Sequence, residues 1–208
     1  MAMSSAHGDD SQAVPVEKDG LLVVEAESFA KQSKTDKRAF HITSADVTPD
    51  ITPDGDEAHW KDASGKAYVE ILPDTRRTHD DKLIHGESFS NEPGKVAVLS
   101  YPIKITTPGR YYVWVCAYST GSEDNGIHVG IDGQWPETGQ RMQWCQGKNT
   151  WRWESKQRTE KNHCGEPYKI YLDIKEPGDH TIEFSMREDG FEFDQWLITT
   201  DREFKPNS

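Results

Sequence analysis

Three carboxylates stand near the two ends of the chain in positions that could hold a cation. Glu25 and Glu27 are two residues apart in the first apolar segment, and Asp194 lies in the last one, residues 191–196. Residues two apart in a strand share a face, and like charges placed that way repel unless a cation intervenes. If the first and last strands are neighbours, the three residues form an oxygen-rich site that suits Ca²⁺. A solvated acidic edge strand is the alternative interpretation.

Tryptophans are the second group with chemical potential. Three of the seven stand close together, at Trp144, Trp151 and Trp153. A ring stacked on the flat C–H face of a sugar buries apolar area while the sugar hydroxyls bond to polar neighbours. Trp151 and Trp153 are two apart, so they share a face of an extended segment. For any single tryptophan, packing in the core is the alternative.

The elements that position these residues are short strands separated by turn signals. No window sustains a helical period, and Pro-Gly, Asp-Gly and other Gly-containing turns recur between the apolar runs. This pattern is typical of an all-β sandwich or barrel. The strands are predicted from residue 21 onward and at residues 67–72, 96–105, 111–118, 127–131, 151–155, 169–174, 181–186 and 191–199.

The chain divides into one domain and two tails. Residues 1–20 are polar and predict a disordered tail or a remnant of expression, residues 21–200 form the β-sandwich, and residues 201–208 form a C-terminal tail. Residues 73–94 predict a long charged loop that carries Arg77 and His79. A loop of this length inside a domain is usually functional or mobile.

Charge and cysteine content exclude several classes of protein. The 24 basic and 36 acidic residues give a formal charge of −12, which disfavours nucleic acid and anionic membranes as partners. No apolar run approaches the ~20 residues that span a bilayer. Cys145 and Cys164 flank the tryptophan-rich segment and could pair in an oxidising compartment, whereas we expect Cys116 to be a buried free thiol.

The order of the motifs resembles that of carbohydrate-binding modules of families six and thirty-five. The motifs are Glu-x-Glu in the opening strand, then Pro-Gly-Arg-Tyr-Tyr-Val-Trp-Val, Val-Gly-Ile-Asp-Gly, Pro-Gly-Asp-His-Thr-Ile-Glu-Phe, and a closing Asp-Gly-Phe-Glu-Phe-Asp-Gln-Trp. The resemblance covers roughly residues 21–200. It implies a galactose-binding-like jelly-roll β-sandwich with a structural Ca²⁺ held by Glu25, Glu27 and Asp194. It also implies a non-catalytic, monomeric module of a larger secreted or cell-surface enzyme that binds a polysaccharide or oligosaccharide.

The same resemblance assigns the carbohydrate-binding residues. Trp151 matches the tryptophan that stacks on sugar in the related modules, and loops 122–126 and 188–192 match those that meet beside it. The family often has Asn where this chain has Glu192, and its compact module lacks the long loop, which could overhang the site. The expected binding residues are Trp151, Trp153, Asn125, Glu123, Glu192, His79 and Arg77.

Two other functions remain open. A jelly-roll polysaccharide lyase or hydrolase would need paired carboxylates, or a base such as His79 or His163 with a tyrosine, although no Gly-x-Ser-x-Gly, phosphate loop or His-Glu-x-x-His motif is present. A cell-surface protein-interaction module is the other possibility. Neutral galactans or glucans suit the acidic charge, whereas sulfated or uronic-acid polymers would require arginines such as Arg76, Arg77, Arg152 or Arg158 at the site.

Overall fold

The computed structural model describes residues 13–207, and strands dominate its regular structure. The predicted tail over residues 1–12 therefore lies outside the described residues, as does Ser208. The strands are β1 (Leu21–Glu25), β2 (Lys31–Ser33), β3 (Ala39–Ser44), β4 (Ala67–Leu72), β5 (Val98–Ile105), β6 (Gly109–Tyr118), β7 (Gly126–Ile131), β8 (Met142–Gln143), β9 (Arg152–Glu154), β10 (Lys156–Gln157), β11 (Glu166–Pro167), β12 (Tyr171–Ile174), β13 (Gly178–Met186) and β14 (Glu192–Thr199). Short 3₁₀ turns occupy Ala26–Ser28, Trp60–Asp62, Ser64–Lys66 and Glu137–Gly139. Within residues 13–207, no helical segment has the length and apolar character needed to cross a bilayer.

Two antiparallel sheets pack face to face. In the first sheet the order is β12-β6-β14-β4-β3, with β1 also paired to β14 and β9 to β6. In the second sheet the order is β11-β10-β8-β7-β13-β5-β2. Several neighbours, such as β6 with β14 and β5 with β13, come from distant parts of the sequence, which is typical of jelly-roll connections. The predicted all-β jelly-roll sandwich is confirmed.

Alternation along β6 shows how the core and the outer face are divided. Tyr111, Val113 and Val115 are fully buried between the sheets, whereas Tyr112 and Trp114 are half-buried on the outer face. Each fully buried large apolar side chain contributes about 1.5–3 kcal/mol. Because the inner positions already fill the core, the aromatic rings at outer positions of the first sheet are available for other contacts.

The first and last strands are neighbours, as predicted. Leu21 of β1 lies opposite Thr199 of β14, and Glu25 lies opposite Gln195. A bulge in β14 between Phe193 and Gln195 shifts the register, and it leaves Asp194 where β1 ends. A bulge of this kind re-aims a side chain, and Asp194 is directed toward Ser64, the first residue of the 3₁₀ turn that precedes β4.

Residues 13–20 pack against the sandwich, so the folded chain begins before the boundary predicted at residue 21. Val16 forms a parallel bridge with Lys104, and Glu17 is fully buried. The Glu17 carboxylate accepts hydrogen bonds from the backbone N–H groups of Thr106 (2.8 Å) and Thr107 (3.0 Å). Those bonds compensate for burying the charge.

A disulfide closes the tryptophan-rich segment. Cys145 and Cys164 are bonded, with their Cα atoms 5.3 Å apart, and Cys116 is a buried free cysteine. The pairing left open by the sequence is therefore present. Cross-linking the two ends of a loop restricts its unfolded conformations, and this loop carries both Trp151 and Trp153.

Candidate functional site

An aromatic cluster lies at the end of the first sheet where β6 stops and β9 begins. The half-buried Trp151 ring packs edge-on against Tyr68 of β4 and Tyr118 of β6, with ring centroids 5.4 Å apart in both pairs. His59 stacks on Tyr118 at 3.7 Å, and the Trp151 Nε1–H donates to the His59 carbonyl at 3.2 Å. These contacts fix the ring while leaving part of its surface accessible, which is what sugar stacking requires.

Carboxylates stand directly beside this aromatic cluster. Glu192 lies opposite Glu70 across β14 and β4, and His59 Nδ1 is 2.9 Å from Glu192 Oε2. Ligand atoms of Asp56, His59 and Glu192 lie within 4.8 Å of one another, as do those of Asp54, Asp56 and Glu70. We call Asp54, Asp56, Glu70 and Glu192 the loop-end acids. They offer hydrogen-bond acceptors to sugar hydroxyls and oxygen ligands to a divalent cation.

Burial and mutual repulsion change the protonation of this cluster. Burial raises the pKa of Glu192 well above its usual value, and the charge of Asp56 adds to the shift. The pKa of Glu70 is also raised well above its usual value, by burial and by Glu192. Burial raises the pKa of Asp56 to about 6, and it lowers the pKa of His59. A protonated carboxyl is also a donor, so the cluster can both donate and accept hydrogen bonds near neutral pH.

The raised pKa of a neighbouring acid, Asp74, makes the stability of the protein depend on pH. Burial and the nearby Asp189 raise the pKa of Asp74 to about 7. The folded state therefore binds a proton more tightly than the unfolded state, and stability falls as pH rises from about 4 through about 7. We expect Asp74→Asn to stabilise the protein by about 1 kcal/mol at pH 8 and to have little effect at pH 4.

Thermal melts in chelator across pH 4–8 check this expectation. The matched control is Asp80→Asn, which removes the same charge from an exposed position in the same loop. A gain for Asp74→Asn that is equally large at pH 4 and pH 8 would contradict the electrostatic explanation.

Two of the three carboxylates predicted to hold calcium, Glu25 and Asp194, bond to Ser64, and Glu27 lies against the neighbouring Gly65. Glu25 Oε1 accepts hydrogen bonds from Ser64 Oγ (2.9 Å) and Gln195 Nε2 (2.8 Å). Asp194 Oδ2 accepts one from the Ser64 backbone N–H at 3.0 Å. One oxygen of each carboxylate is left buried with no partner among the described residues: Glu25 Oε2, Glu27 Oε2 and Asp194 Oδ1. Burying unpaired carboxylate oxygens is costly.

The chemistry of these oxygens suits a hard divalent cation, but Glu25, Glu27 and Asp194 do not form one of the groups whose ligand atoms lie within 4.8 Å of one another among the described residues. Burial raises the pKa of Glu27 to about 7, with Glu25 and Asp194 adding repulsion, and burial raises the pKa of Asp194 to about 6. A bound cation would remove both the repulsion and the unsatisfied oxygens. Carboxylate and backbone oxygens are the ligands that Ca²⁺ takes, so the residues present are suitable for it.

The other predicted binding residues make different contacts. Trp153 lines a groove of about 380 Å³ with Trp114, Tyr168 and the C-terminal residues 202–206. Glu123 forms an ion pair with Arg76, and Asn125 is buried, where its side-chain oxygen accepts a hydrogen bond from Gln143. Both side chains have polar partners within the protein, and their contact with sugar stays a prediction.

Arg77 and His79, the two predicted binding residues of the long loop, are not among the residues that hold the Trp151 ring in place. Arg77 is exposed, with its Nε 3.9 Å from Asp74 Oδ2, and its side chain lies against Gly55. His79 lines a separate cleft together with Arg76 and His163. The long loop thus lines a separate depression, and its overhang above the Trp151 site stays a prediction.

Several site residues were not predicted from the sequence. Tyr68 and Glu70 alternate with the buried Val69 and Ile71 in β4, so strand periodicity could have placed them on the outer face with Glu192. His59 and Asp56 come from a polar loop whose path has no periodic signal.

Comparison with known proteins gives one family match and one curated relative. The model of the family described as "Glycosyl hydrolase family 115 C-terminal domain" matches residues 52–207. The relative, from Formosa agariphila, is described as uncharacterized protein P23 and is 58% identical over 190 residues, which is 91% of this chain and 46% of that protein. The chain therefore spans about half the length of the curated relative it matches.

Solved structures with a similar fold include modules of the two families that the motifs resemble. One is the C-terminal family-six module of the laminarinase LamC from Zobellia galactanivorans (TM-score 0.41, 14% identity, 86% of this chain and 99% of that one). Others are the family-thirty-five modules of Paenibacillus barcinonensis (TM-score 0.45, 13% identity, 86% and 99%) and Clostridium thermocellum (TM-score 0.42, 17% identity, 86% and 98%). The identities are low, and the likeness concerns the fold.

Proposed function

The chain belongs to the family of glycosyl hydrolase family 115 C-terminal domains, and from that premise we propose that it is a non-catalytic module that binds a polysaccharide. The observation that carries the proposal is the Trp151 cluster beside the loop-end acids. An accessible ring next to convergent polar groups is the usual composition of a sugar site.

Each part of the site has a role in this proposal. Trp151 stacks on the apolar face of one sugar ring, with Tyr118 holding it in place. The exposed carboxylates of Asp54 and Asp56 accept hydrogen bonds from the sugar's hydroxyls, whereas Glu192, which is 1% exposed, holds His59 in place. Nothing in this arrangement requires a bond to be made or broken.

The proposal includes a structural calcium ion held by Glu25, Glu27 and Asp194. The unpartnered oxygens of these three residues support it. The ion would join the end of β1 to the bulge of β14 and so stabilise the pairing of the terminal strands. When bound, the ion neutralises the charges of its carboxylate ligands. In this proposal it does not contact the sugar, because its ligands lie on other segments than Trp151.

We further propose that the domain works outside the cytoplasm, as a monomeric module of a longer enzyme. The bond between Cys145 and Cys164 supports an oxidising environment. The matched residues make up only 46% of the curated relative, and this supports a longer full protein.

Affinity electrophoresis against plant and algal polysaccharides tests the binding proposal directly. We expect retardation by at least one polymer and none by the matrix alone. No retardation by any polymer in the panel, with the protein shown to be folded, would reject polysaccharide binding and would favour the protein-interaction alternative.

The enzyme alternative has its own measurement. The proximity of Glu192, His59 and Tyr118 could in principle serve acid–base chemistry. We expect neither reducing ends nor unsaturated products after prolonged incubation of the wild type with each retained polymer. Product formation that is lost in Glu192→Gln would overturn the non-catalytic assignment.

A further inference from the structure

A cleft beneath the long loop gathers arginines in a chain of negative overall charge. It has a lobe of about 410 Å³ and an adjoining lobe of about 290 Å³, and both are lined by Phe89, Arg158 and His163. Arg76 lines the larger lobe, and Arg141 and Arg187 line the smaller one. We call these two lobes the arginine cleft. The clustering is notable because the chain carries 36 acidic and only 24 basic residues.

The positive charges of the cleft are only partly compensated. Glu123 pairs with Arg76, and Glu188 pairs with Arg187. Arg141 and Arg158 form no ion pair with any residue in the range 13–207. The remaining acid is Glu160, which lines the smaller lobe from an exposed position. Four arginines against three glutamates leave a local positive excess that opposes the field of the whole chain.

The arginines also have unused hydrogen-bond donors. The Nε–H groups of Arg76, Arg141 and Arg187 are buried and meet no acceptor in the part of the chain that the structure describes. Arg76 and Arg187 are themselves 7% and 2% exposed. A buried charged donor without an acceptor is costly, so an oxyanion entering the cleft would find guanidinium groups that lack full partners.

The pKa values of two neighbouring histidines reflect the positive charge of the arginines. Burial lowers the pKa of His163, and the charges of Arg158 and Arg187 lower it further. Burial lowers the pKa of His128 to about 3, and Arg187 and Arg141 add to that shift. Both imidazoles are therefore neutral at pH 7, and the exposed His163 is available to hydrogen-bond a ligand without adding charge.

The walls of the cleft are held in place by the backbone. Phe89 forms an isolated bridge with Glu188, and the Ser90 N–H donates to the Arg187 carbonyl at 2.8 Å. The Arg187 guanidinium lies over the Phe89 ring, 5.0 Å from its centroid. The long loop is thus attached to the connection between β13 and β14, so the cleft exists before any ligand arrives.

We infer that the arginine cleft binds an anionic substituent of the polysaccharide, either a sulfate ester or a uronic-acid carboxylate. This inference rests on the proposed function. Guanidinium groups match the geometry of such oxyanions and remain charged at all relevant pH values. Tyr118, beside Trp151, is the last residue of β6, and Ser122 and Glu123 of the connection that follows it line the cleft. The cleft and the Trp151 cluster therefore lie at the same end of the sandwich, and in this inference a single glycan chain contacts both. The polymer is therefore acidic, in contrast to the neutral polymer that the net charge favours.

Retention by four immobilised polymers tests the inference. The polymers are carrageenan, chemically desulfated carrageenan and polygalacturonate, and a neutral β-glucan completes the set. The informative variant is Arg158→Gln, which removes a half-buried arginine that has no ion pair. The matched control is Arg110→Gln, which removes the same charge from an exposed pair with Asp173 on β6 and β12.

We expect the wild type to be retained by an anionic polymer and Arg158→Gln to be retained roughly tenfold more weakly, because one charge-assisted contact is lost. Arg110→Gln should behave as the wild type. In about 1 M salt, where charges are screened beyond about 3 Å, the retention should fall. Loss of retention on desulfation identifies a sulfate ester, whereas retention by polygalacturonate identifies a carboxylate.

Two outcomes would overturn the inference directly, and a third separates it from the proposed function. Equal retention of Arg158→Gln and Arg110→Gln would show that the cleft does not contribute to polysaccharide binding. Retention of the wild type by the neutral polymer alone would keep the module and reject the anion site. If no polymer retains the wild type, the proposal of polysaccharide binding fails. An NMR titration with inorganic sulfate then tests whether the cleft binds an oxyanion. Chemical-shift changes around Arg158 that vanish in Arg158→Gln support anion binding by the cleft, and their absence rejects it.

Discussion

Trp151→Ala should weaken retention on the cognate polysaccharide by roughly thirtyfold, since truncating a central aromatic anchor commonly costs about 2 kcal/mol. The Trp151 ring lies against Tyr68 and Tyr118 at the mouth of the site, so its removal takes away the largest apolar surface offered to a sugar. The measurement is affinity electrophoresis over a range of polymer concentrations, with melting temperature recorded in parallel.

Two further variants show whether the loss is specific to sugar stacking. Trp153→Ala makes the same change two residues away in the same disulfide-bounded segment, but it alters the groove lined by Trp114 and Tyr168. Trp151→Phe keeps a ring and loses only the hydrogen bond to the His59 carbonyl, so its retention should be intermediate. Normal retention of a folded Trp151→Ala together with loss in Trp153→Ala would move the binding site to that groove.

The strands and the terminal pairing were predictable because they depend on local and repetitive signals. Alternation in residues 111–118 specifies a strand with one buried face, residues 67–72 form a strand that is buried on both faces, and turn residues mark the ends of such strands. The pairing of Glu25 with Gln195 could be anticipated only through the resemblance, since no local signal reports which strands become neighbours. The bulge at Asp194 was not predicted, although it is what directs that carboxylate toward Ser64.

The candidate site was less predictable because it depends on where loops cross the sheet. Trp151 and Glu192 were identified from their places in the motif, but His59 reaches Glu192 from a loop more than 130 residues earlier. Asn125 and Glu123 are expected to contact sugar, and the structure adds that they bond to Gln143 and Arg76, which the sequence did not predict. A polar residue in a loop finds whichever partner the packing brings near it, and a single sequence does not reveal that packing.

Calcium should raise the free energy of unfolding by ~2.7 kcal/mol at a hundredfold excess over its dissociation constant, because it binds only the folded state. For a chain of this size, chelation should then lower the melting temperature by roughly 5–10 °C. The unpartnered oxygens of Glu25, Glu27 and Asp194 are the reason to expect the ion between β1 and β14. Differential scanning calorimetry, with the metal content verified before and after chelation, measures the shift.

Two acidic groups compete as the location of that ion, and one pair of variants separates them. Asp194→Asn removes a predicted calcium ligand, and Asp56→Asn makes the same change in the loop-end acids, where ligand atoms of Asp56, His59 and Glu192 lie within 4.8 Å of one another. We expect Asp194→Asn to abolish the calcium-dependent rise in melting temperature and Asp56→Asn to retain it. The opposite result would place the ion beside Trp151, where it would contact the sugar, and an unchanged melting curve after complete metal removal would exclude a stabilising ion at either place. Retention on polysaccharide, measured well below the melting temperature, should not change on chelation, because the ligands at the end of β1 and in the bulge of β14 are not residues that touch the sugar.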